Sequence, residues 1–354
     1  MNKKLYILLL LVLFSSNVFS QTAKYSNEFL SIGVGARALG MANTNVANVS
    51  DVSSAYWNPA GLTGIDKKFD ASMMHAEYFT GIAKYDYFGA SMSLDTNSRI
   101  ATSLIRFGVD DIPNTTDLID KDGNIDYDRI SYFSAADYAF LFSYATKSKI
   151  QGLSYGANVK IIYRNIGKFA NAWGFGLDAG IKYKYRKWQF AAMGKDITST
   201  FNVWSFNEDE LLIEVNDSIF NFAPEDALEL TMPRVIIGVA RKFNVYKKFS
   251  ALLEFDLDFT TDGKRNVLIN SNFFSIAPRI GVEFDYNNFV FVRLGACNFQ
   301  KVKTYNMSED LSLQPNFGVG VKYKGFRLDY ALTDIGDNSV AMYSNIFSLS
   351  YSFN

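Results

Sequence analysis

The sequence predicts an all-β protein, a transmembrane antiparallel β-barrel of about fourteen strands with an N-terminal plug. The main observation is a polarity that alternates with a period of two along most of the chain after residue 68. Phe249–Thr260 shows it clearly, with the apolar positions Phe249, Ala251, Leu253, Phe255, Leu257 and Phe259 against Ser250, Leu252, Glu254, Asp256, Asp258 and Thr260. Because side chains alternate faces along a strand, one face suits lipid and the other suits a polar lumen. A soluble sandwich would instead bury the apolar face.

The N-terminus predicts export. Lys3 and Lys4 precede the apolar run Tyr6–Phe14, and Val18-Phe19-Ser20 is a small-residue cleavage site before Gln21. Residues 1–20 are therefore predicted to be a signal peptide, with a buried N-terminal helix as the alternative. Export and barrel patterning together predict the outer membrane, with both termini in the periplasm. The formal net charge of −1 gives no reason to expect a nucleic-acid partner.

The connections supply a second, independent observation. Predicted strands cover 69–79, 85–94, 99–112, 137–148, 153–166, 172–185, 188–198, 233–243, 249–260, 276–287, 289–299, 315–324, 326–336 and 345–353. All the long connections then fall at one end of the strands: 113–136, 199–232, 261–275, 300–314 and 337–344. Bacterial outer-membrane barrels have short periplasmic turns and long external loops, whereas a soluble sandwich has no reason to sort loops in this way.

The chain divides into three parts: the signal peptide at 1–20, a plug at 21–68 and the barrel at 69–354. Fourteen strands enclose more space than inward side chains alone can fill, in contrast to an eight-stranded barrel. Gln21–Lys68 does not have a strand pattern and is rich in Gly, Ala, Asn and Ser. We therefore expect this segment to fold inside the barrel.

Two short motifs lie in the predicted plug. The first is GVGARALGM at Gly33–Met41 and the second is YWNPAGL at Tyr56–Leu62; the residues that define them are Gly33, Gly35, Arg37, Gly40, Met41, Trp57, Asn58, Pro59 and Gly61. Together with the ending Arg327–Gly336, they resemble the PorV/PorQ family of Bacteroidota outer-membrane proteins, most closely its PorV branch. That family is related to the FadL-type barrels, which have fourteen strands. The family often has GMGG where this chain has Gly40–Asn43, so a second glycine is missing.

The motifs also have a direct physical interpretation. Their glycines permit close approach to the barrel wall, and Asn58-Pro59 favours a turn. Arg37 could pair with a lumen carboxylate such as Glu254, Asp256 or Glu283. The simpler alternative is that the motifs are scaffolding and contact no ligand.

No set of residues suggests catalysis, a cofactor or a metal centre. His75 is the one histidine and Cys297 the one cysteine, and they lie far apart in the chain. We expect His75 in the barrel wall and Cys297 in the lumen. Asp120, Asp122, Asn124 and Asp126 resemble a calcium loop, but Ile125 stands where an EF-hand needs glycine and Ser131 where it needs glutamate. Calcium binding in this loop stays open.

The resemblance implies a non-enzymatic role in the type IX secretion system. The partners would be a large outer-membrane translocon protein and the C-terminal domains of secreted cargo, besides outer-membrane lipid. The external loops would then be the working surface, and the predicted loop Ser199–Met232 carries the candidate binding residues Trp204, Phe206, Leu211, Ile213, Phe220 and Phe222. One alternative is a FadL-type transporter of hydrophobic small molecules, and another is a structural barrel that stabilises a neighbour.

Overall fold

The computed structural model describes residues 26–119, 123–215, 218–221, 224, 228–303, 309–333 and 343–354. The predicted signal peptide lies outside these residues. The strands are β1 Phe69–Tyr78, β2 Ala83–Ser93, β3 Ser98–Asn114, β4 Ser131–Lys147, β5 Leu153–Ile166, β6 Ala170–Tyr185, β7 Trp188–Lys195, β8 Thr200–Phe206, β9 Leu212–Val215, β10 Ser218–Asn221, β11 Leu228–Thr231, β12 Arg234–Tyr246, β13 Phe249–Thr260, β14 Ile269–Asn270, β15 Ser275–Tyr286, β16 Val290–Lys303, β17 Glu309–Tyr323, β18 Phe326–Thr333 and β19 Ser344–Phe353.

Helical structure is confined to short pieces. Two single-turn α-helices, α1 Ala36–Gly40 and α2 Ser54–Trp57, precede the first strand. The 3-10 turns are Glu28–Ser31, Pro59–Gly64, Phe79–Gly81, Tyr127–Arg129 and Glu208–Leu211. None of the helices in the described ranges is long and apolar enough to cross a membrane.

The strands form one closed antiparallel barrel. The first strand, β1, pairs with β2 on one side and with β19 on the other. In the wall β7 continues into β8, and β11 into β12, whereas β9 and β10 pair only with each other and β14 is a two-residue strand beside β15. When β7 with β8 and β11 with β12 are each counted as one wall strand, the barrel has fourteen strands. This confirms the predicted fold class.

Inward and outward faces follow the predicted alternation. On β13 the side chains of Leu252, Glu254 and Asp256 are buried, whereas Leu253 and Phe255 are exposed on the outer surface. Aromatic pairs join strands on the outer surface where the short turns lie, for example Phe69 with Phe353 and Phe326 with Tyr351. Aromatic girdles of this kind mark the interfaces of an outer-membrane barrel.

Connection length differs between the two ends of the barrel. At one end, which we call the turn end, the strands are joined by residues 94–97, 148–152, 186–187, 247–248, 287–289 and 324–325. At the other, the loop end, lie the long connections 115–130, 207–227 and 261–274. The predicted asymmetry is therefore present in these three connections. The predicted long connection 300–314 is mostly strand, because β16 runs to Lys303 and β17 begins at Glu309, and most of 337–344 lies outside the described residues. The assignment of the turn end and both termini to the periplasm stays a prediction.

The wall strand made of β7 and β8 corrects two predicted boundaries. The seventh strand was predicted as a single run over 188–198 followed by a loop from residue 199, but the wall stops at Lys195 and resumes at Thr200. Lys195 pairs with Arg234, and Thr200 pairs with Thr231. The four residues 196–199 therefore lie opposite only the two residues 232–233 and form a bulge. The bulge shifts the phase of the alternation, which hid β8 from a period-two pattern.

Candidate functional site

The N-terminal segment, residues 26–64, lies in the barrel lumen. Ala36 at the start of α1 donates its backbone N–H to Ser348 Oγ at 2.5 Å. The side-chain amide of Asn316 donates to the carbonyl of Leu39 at 2.8 Å, and Lys182 donates to the carbonyl of Val49. These bonds come from three separate parts of the wall and hold the segment in place. The boundaries of a plug at residues 21 and 68 stay a prediction.

A strip of inward-facing glycines lets the backbone of the N-terminal segment approach the wall. A Cβ added at Gly295 would lie 2.3 Å from the carbonyl carbon of Met41, and one at Gly40 would lie 2.9 Å from Gly318 Cα. Such distances are shorter than any real contact, so only glycine fits at these positions. The same strip continues around the wall, where the segment also contacts Gly156, Gly180, Gly238 and Gly281.

We expect Gly295→Val to displace the N-terminal segment from the wall. The added Cβ alone would overlap the Met41 backbone, and overpacking of this kind costs roughly 1–3 kcal/mol. Guanidinium unfolding in detergent, followed by tryptophan fluorescence, measures the change, since Trp57 lies in the segment. Ala296→Val is the matched control because Ala296 pairs with Ile280 on the outer face. Equal unfolding midpoints for the two variants would contradict the close approach.

The two sequence motifs are joined by hydrogen bonds inside the segment. Gly33 and Gly35 have φ of 104° and 86°, a left-handed region that favours glycine. Between them, Val34 accepts a hydrogen bond from Trp57 Nε1 at 2.9 Å. Asn58 Oδ1 accepts from the N–H of Ala60 at 3.2 Å, and a Cβ at Gly61 would lie 2.6 Å from the Val49 carbonyl oxygen. These contacts are internal to the segment and build its shape.

Arg37 is the charged residue of the first motif, and its partner is Glu283. Its guanidinium donates to both Glu283 oxygens, at 2.9 and 3.1 Å. Burial, the largest single influence, lowers the pKa of Arg37, but the nearby carboxylates, Glu283 foremost among them, together raise that pKa above its usual value. The other two predicted carboxylates serve the backbone instead: Glu254 accepts from the N–H groups of Ala47 and Asn48, and Asp256 from those of Asn45 and Val46.

A second charged network holds the bulge between β7 and β8. Lys160 Nζ donates to Asp178 at 2.8 Å and to Asp196 at 2.6 Å, and the N–H of Asp196 donates to Asp178 at 2.9 Å. Asp196 and Ser199 both have a φ of 55°, which is uncommon for residues other than glycine. The network therefore turns Asp196 into the lumen. Beside it, Lys195 Nζ lies 3.7 Å from the ring centroid of Tyr56.

Three spaces lie in and around the barrel. A vestibule of about 700 Å³ lies toward the loop end, above the N-terminal segment; its lining includes Arg234, Asp258, Arg265, Arg279, Cys297 and Asn316. A smaller cavity of about 50 Å³ reaches Lys195, Asp196 and Asp178. On the outer face, an apolar groove of about 710 Å³ includes Ala157, Ala179 and Ile197, and Asp178 also borders it. The inner cavity and the outer groove thus lie on opposite faces of the wall beside the bulge, where Asp178 of β6 borders both.

The candidate loop residues are placed differently from the prediction. Trp204 lies in the wall strand β8 and faces the lumen at 9% exposure, with the Arg164 guanidinium 5.0 Å from its ring. Phe206 ends the same strand and stacks on Trp204 at 6.1 Å. Neither residue is in an external loop, because the alternation resumes after the bulge. Leu211 lies in the 3-10 turn Glu208–Leu211. Ile213 lies in β9 and Phe220 in β10. The side chains of these two residues, and the whole of Phe222, lie outside what the structure describes.

His75 and Cys297 lie on opposite faces of the wall. His75 points outward from β1, whereas Cys297 is buried and lines the vestibule. Asp120 and Asp122 of the calcium-like loop lie outside the described residues, and no group of three or more metal-ligating side chains occurs within them. Sequence reasoning missed Asp196 as the third member of the network with Lys160 and Asp178, although the run Asp-Ile-Thr-Ser at 196–199 interrupts the alternation and could have signalled it.

Comparison with known proteins finds likeness in structure alone. No protein-family model and no curated protein sequence matches the chain. The solved toluene transporter TodX of Pseudomonas putida has a TM-score of 0.57 at 13% identity over 90% of this chain and 96% of that one. The toluene transporter TbuX of Ralstonia pickettii has a TM-score of 0.55 at 12% identity, over 91% and 99%.

A FadL homologue of Pseudomonas aeruginosa is similar to the same degree, with a TM-score of 0.52 at 11% identity over 91% of this chain and 98% of that one. Identities this low carry information about the fold and not about what is bound. The resemblance to the PorV/PorQ family gains no support from these matches and stays a prediction. The location in an outer membrane is supported by the shared architecture. The chain has the fold of the FadL-type outer-membrane barrels.

Proposed function

We propose that the protein transports a hydrophobic small molecule from the vestibule through the barrel wall. The observation that carries this proposal is the bulge between β7 and β8, where the inner cavity and the outer apolar groove share Asp178. A molecule that leaves the lumen at this point enters an apolar environment without crossing the N-terminal segment. The shared fold with TodX and TbuX, which are toluene transporters, supports the same reading.

The vestibule also favours a particular kind of molecule. Arg234 and Arg279 both contact the single carboxylate of Asp258, so two guanidinium groups share one negative charge. A surplus of positive charge in a partly enclosed space attracts anions. The preferred substrate is therefore an amphipathic molecule with an apolar body and an acidic group, such as a long-chain fatty acid.

Uptake into proteoliposomes tests this function. Deleting Ile197 and Thr198 would leave residues 196 and 199 opposite residues 232 and 233, which should close the bulge. Uptake of a labelled long-chain fatty acid and of toluene should then be abolished. A two-residue deletion of Asn207 and Glu208, in the external connection, is the matched control and should transport normally. Unchanged uptake by the first variant, with a folded barrel, would exclude passage at the bulge.

A second pair of variants tests the selectivity for acids. Arg279→Gln removes the surplus charge while Arg234 still pairs with Asp258. We expect fatty-acid uptake to fall by about tenfold, the effect of one lost charged contact, with toluene uptake unchanged. Lys264→Gln, which removes a different cation of the vestibule lining, should change both rates less. A parallel loss of both substrates would contradict an acid-specific role for Arg279.

Protein recognition at the loop end is the second candidate function. The hairpin of β9 and β10 pairs outside the barrel sheet, and Leu212 in it is 43% exposed. The hairpin takes no part in the barrel wall, so it is the segment of the loop end proposed to meet a partner. The partner implied by the family resemblance is a translocon protein or the C-terminal domain of secreted cargo. Deleting residues 208–226, which spares the wall strand β8, should then abolish capture of a purified cargo C-terminal domain and leave fatty-acid uptake intact.

A further inference from the structure

Six charged or titratable side chains lie together on the outer face of the barrel. We call them the β1–β3 charge cluster: His75 and Glu77 on β1, Lys84 and Asp86 on β2, and Arg106 and Asp110 on β3. The outward direction is fixed by the alternation, since Met74 and Ala76 beside His75 are buried in the lumen. On the opposite wall, the outward residues of β13 are apolar throughout. The cluster is therefore a local departure from a lipid-facing surface.

The depth of the cluster makes this departure significant. Six residues of a strand tilted by about 40° rise roughly 15 Å, so His75 lies that far above Phe69 in an apolar band about 25 Å tall. The neighbouring outward residues toward the turn end are Met73 and Phe88. Toward the loop end, the short connection between β1 and β2 exposes Phe79 and Ile82. Apolar side chains thus lie on both sides of the cluster.

Charges at this depth need partners, and some of them have partners in the same chain. His75 Nδ1 is 2.7 Å from Asp86, Arg106 is 3.2 Å from Asp86 and Lys84 is 2.9 Å from Asp110. The side chains nevertheless stay substantially exposed, at 50% for His75 and 54% for Glu77. Three of the six groups are carboxylates, which would repel an anionic lipid headgroup. The surface instead fits another protein wall that presents charges at the same height.

The order of the charges identifies the partner. From the turn end upward, β1 carries a base and then an acid, β2 an acid and then a base, and β3 a base and then an acid. In two copies inserted into one membrane with the same orientation, equivalent residues lie at the same depth. About a two-fold axis between β1 and β2, His75 faces Asp86 and Glu77 faces Lys84 of the second copy, each pair occurring twice. Ala71 and Ala90, which pair across the same two strands, let the walls approach closely.

We propose that the outer face of β1 and β2 is the interface of a homodimer within the membrane. The proposal is independent of what the lumen transports. The short connection over residues 79–82, which joins β1 directly to β2, fits it. A second copy would exclude lipid from the β1–β3 charge cluster and pair its charges.

Cross-linking in intact outer membranes tests the interface. Ala71→Cys places a thiol beside the proposed axis, and Ala251→Cys is the matched control on the outer face of β13. Both variants also carry Cys297→Ser, so that the introduced cysteine is the one thiol that can react. A short bifunctional thiol reagent should join two Ala71→Cys chains into a dimer of twice the chain mass and leave Ala251→Cys monomeric. Equal dimer yields at the two positions, or a product with a different protein, would overturn the proposal.

Charge reversal tests the pairing itself. In the Ala71→Cys background, Lys84→Glu places two carboxylates opposite each other and should lower the dimer yield by about tenfold or more. The combined change Glu77→Lys and Lys84→Glu restores opposite signs and should restore the dimer. Heat-modifiable migration shows that each variant is folded. An unchanged yield with Lys84→Glu, or no recovery in the combined variant, would overturn the proposal.

Discussion

Glu283→Ala should destabilise the barrel by roughly 3–5 kcal/mol, the cost of removing one partner from a buried ion pair. Three guanidinium groups converge on this carboxylate: Arg37 at 2.9 Å, Arg293 at 2.6 Å and Arg327 at 3.4 Å. The loss would leave Arg37 facing the wall without its carboxylate. Arg293, which has no exposed side-chain surface, would keep only Asp329. The effect is large because Glu283 connects the N-terminal segment to two strands at once.

Guanidinium unfolding in lipid or detergent micelles, followed by tryptophan fluorescence, measures this loss. Glu208→Ala is the matched control: Glu208 is exposed in the external connection, so its removal should stay within about 0.5 kcal/mol. Glu283→Gln keeps the acceptor oxygen and removes the charge, so it should fall between the two. A loss for Glu283→Ala no greater than that for Glu208→Ala would show that the network contributes nothing to stability.

Ile280→Arg should cost roughly 2–4 kcal/mol, because it places a cation on the lipid face near the bilayer midplane. Ile280 lies near the middle of β15 and faces outward, opposite Phe255 and Ala296. Both of these partners are apolar, so the charge would stay in lipid. Leu253→Arg, one row closer to the turn end, should cost less than Ile280→Arg.

Ser250→Arg is the comparison on the inner face. Ser250 donates a hydrogen bond to Asp285, so an arginine at this position finds a carboxylate and a polar surrounding. Its cost should therefore be clearly lower than that of Ile280→Arg. Equilibrium refolding into lipid vesicles measures all three variants. Equal losses for Ile280→Arg and Ser250→Arg would mean that the inward and outward faces are assigned incorrectly.

The two predictions concern different forces in the same wall. The outer face is stabilised by removing apolar side chains from water into lipid, and an added charge there has no partner. The inner face is charged and depends on complementary pairing with the N-terminal segment. A variant that unfolds the barrel through the outer face and one that weakens it through Glu283 should therefore be separable. Only the second should release the N-terminal segment to protease before the wall unfolds.

Much of the wall could be predicted from the sequence because the governing pattern is local. Side chains alternate along a strand, so β13 and β15 appear in the chain as alternating residues with no knowledge of their neighbours. Loop lengths are equally local, and they predicted a turn end and a loop end. The close approach to the wall was foreseeable only at Gly40, which meets Gly318; an added Cβ at Gly33 or Gly61 would instead meet atoms of the N-terminal segment itself.

Other features were decided by the tertiary structure, because they depend on which strands meet and in what register. Arg37 had three candidate partners in the sequence, and only the closed barrel places it against Glu283, 246 residues away. The bulge at residues 196–199 arises because these four residues lie opposite only two, 232 and 233. Beyond it the chain rejoins the wall, so Trp204 lies in a wall strand and not in the predicted loop. The β1–β3 charge cluster likewise exists only because antiparallel pairing brings His75, Asp86 and Arg106 to one height on the outer face.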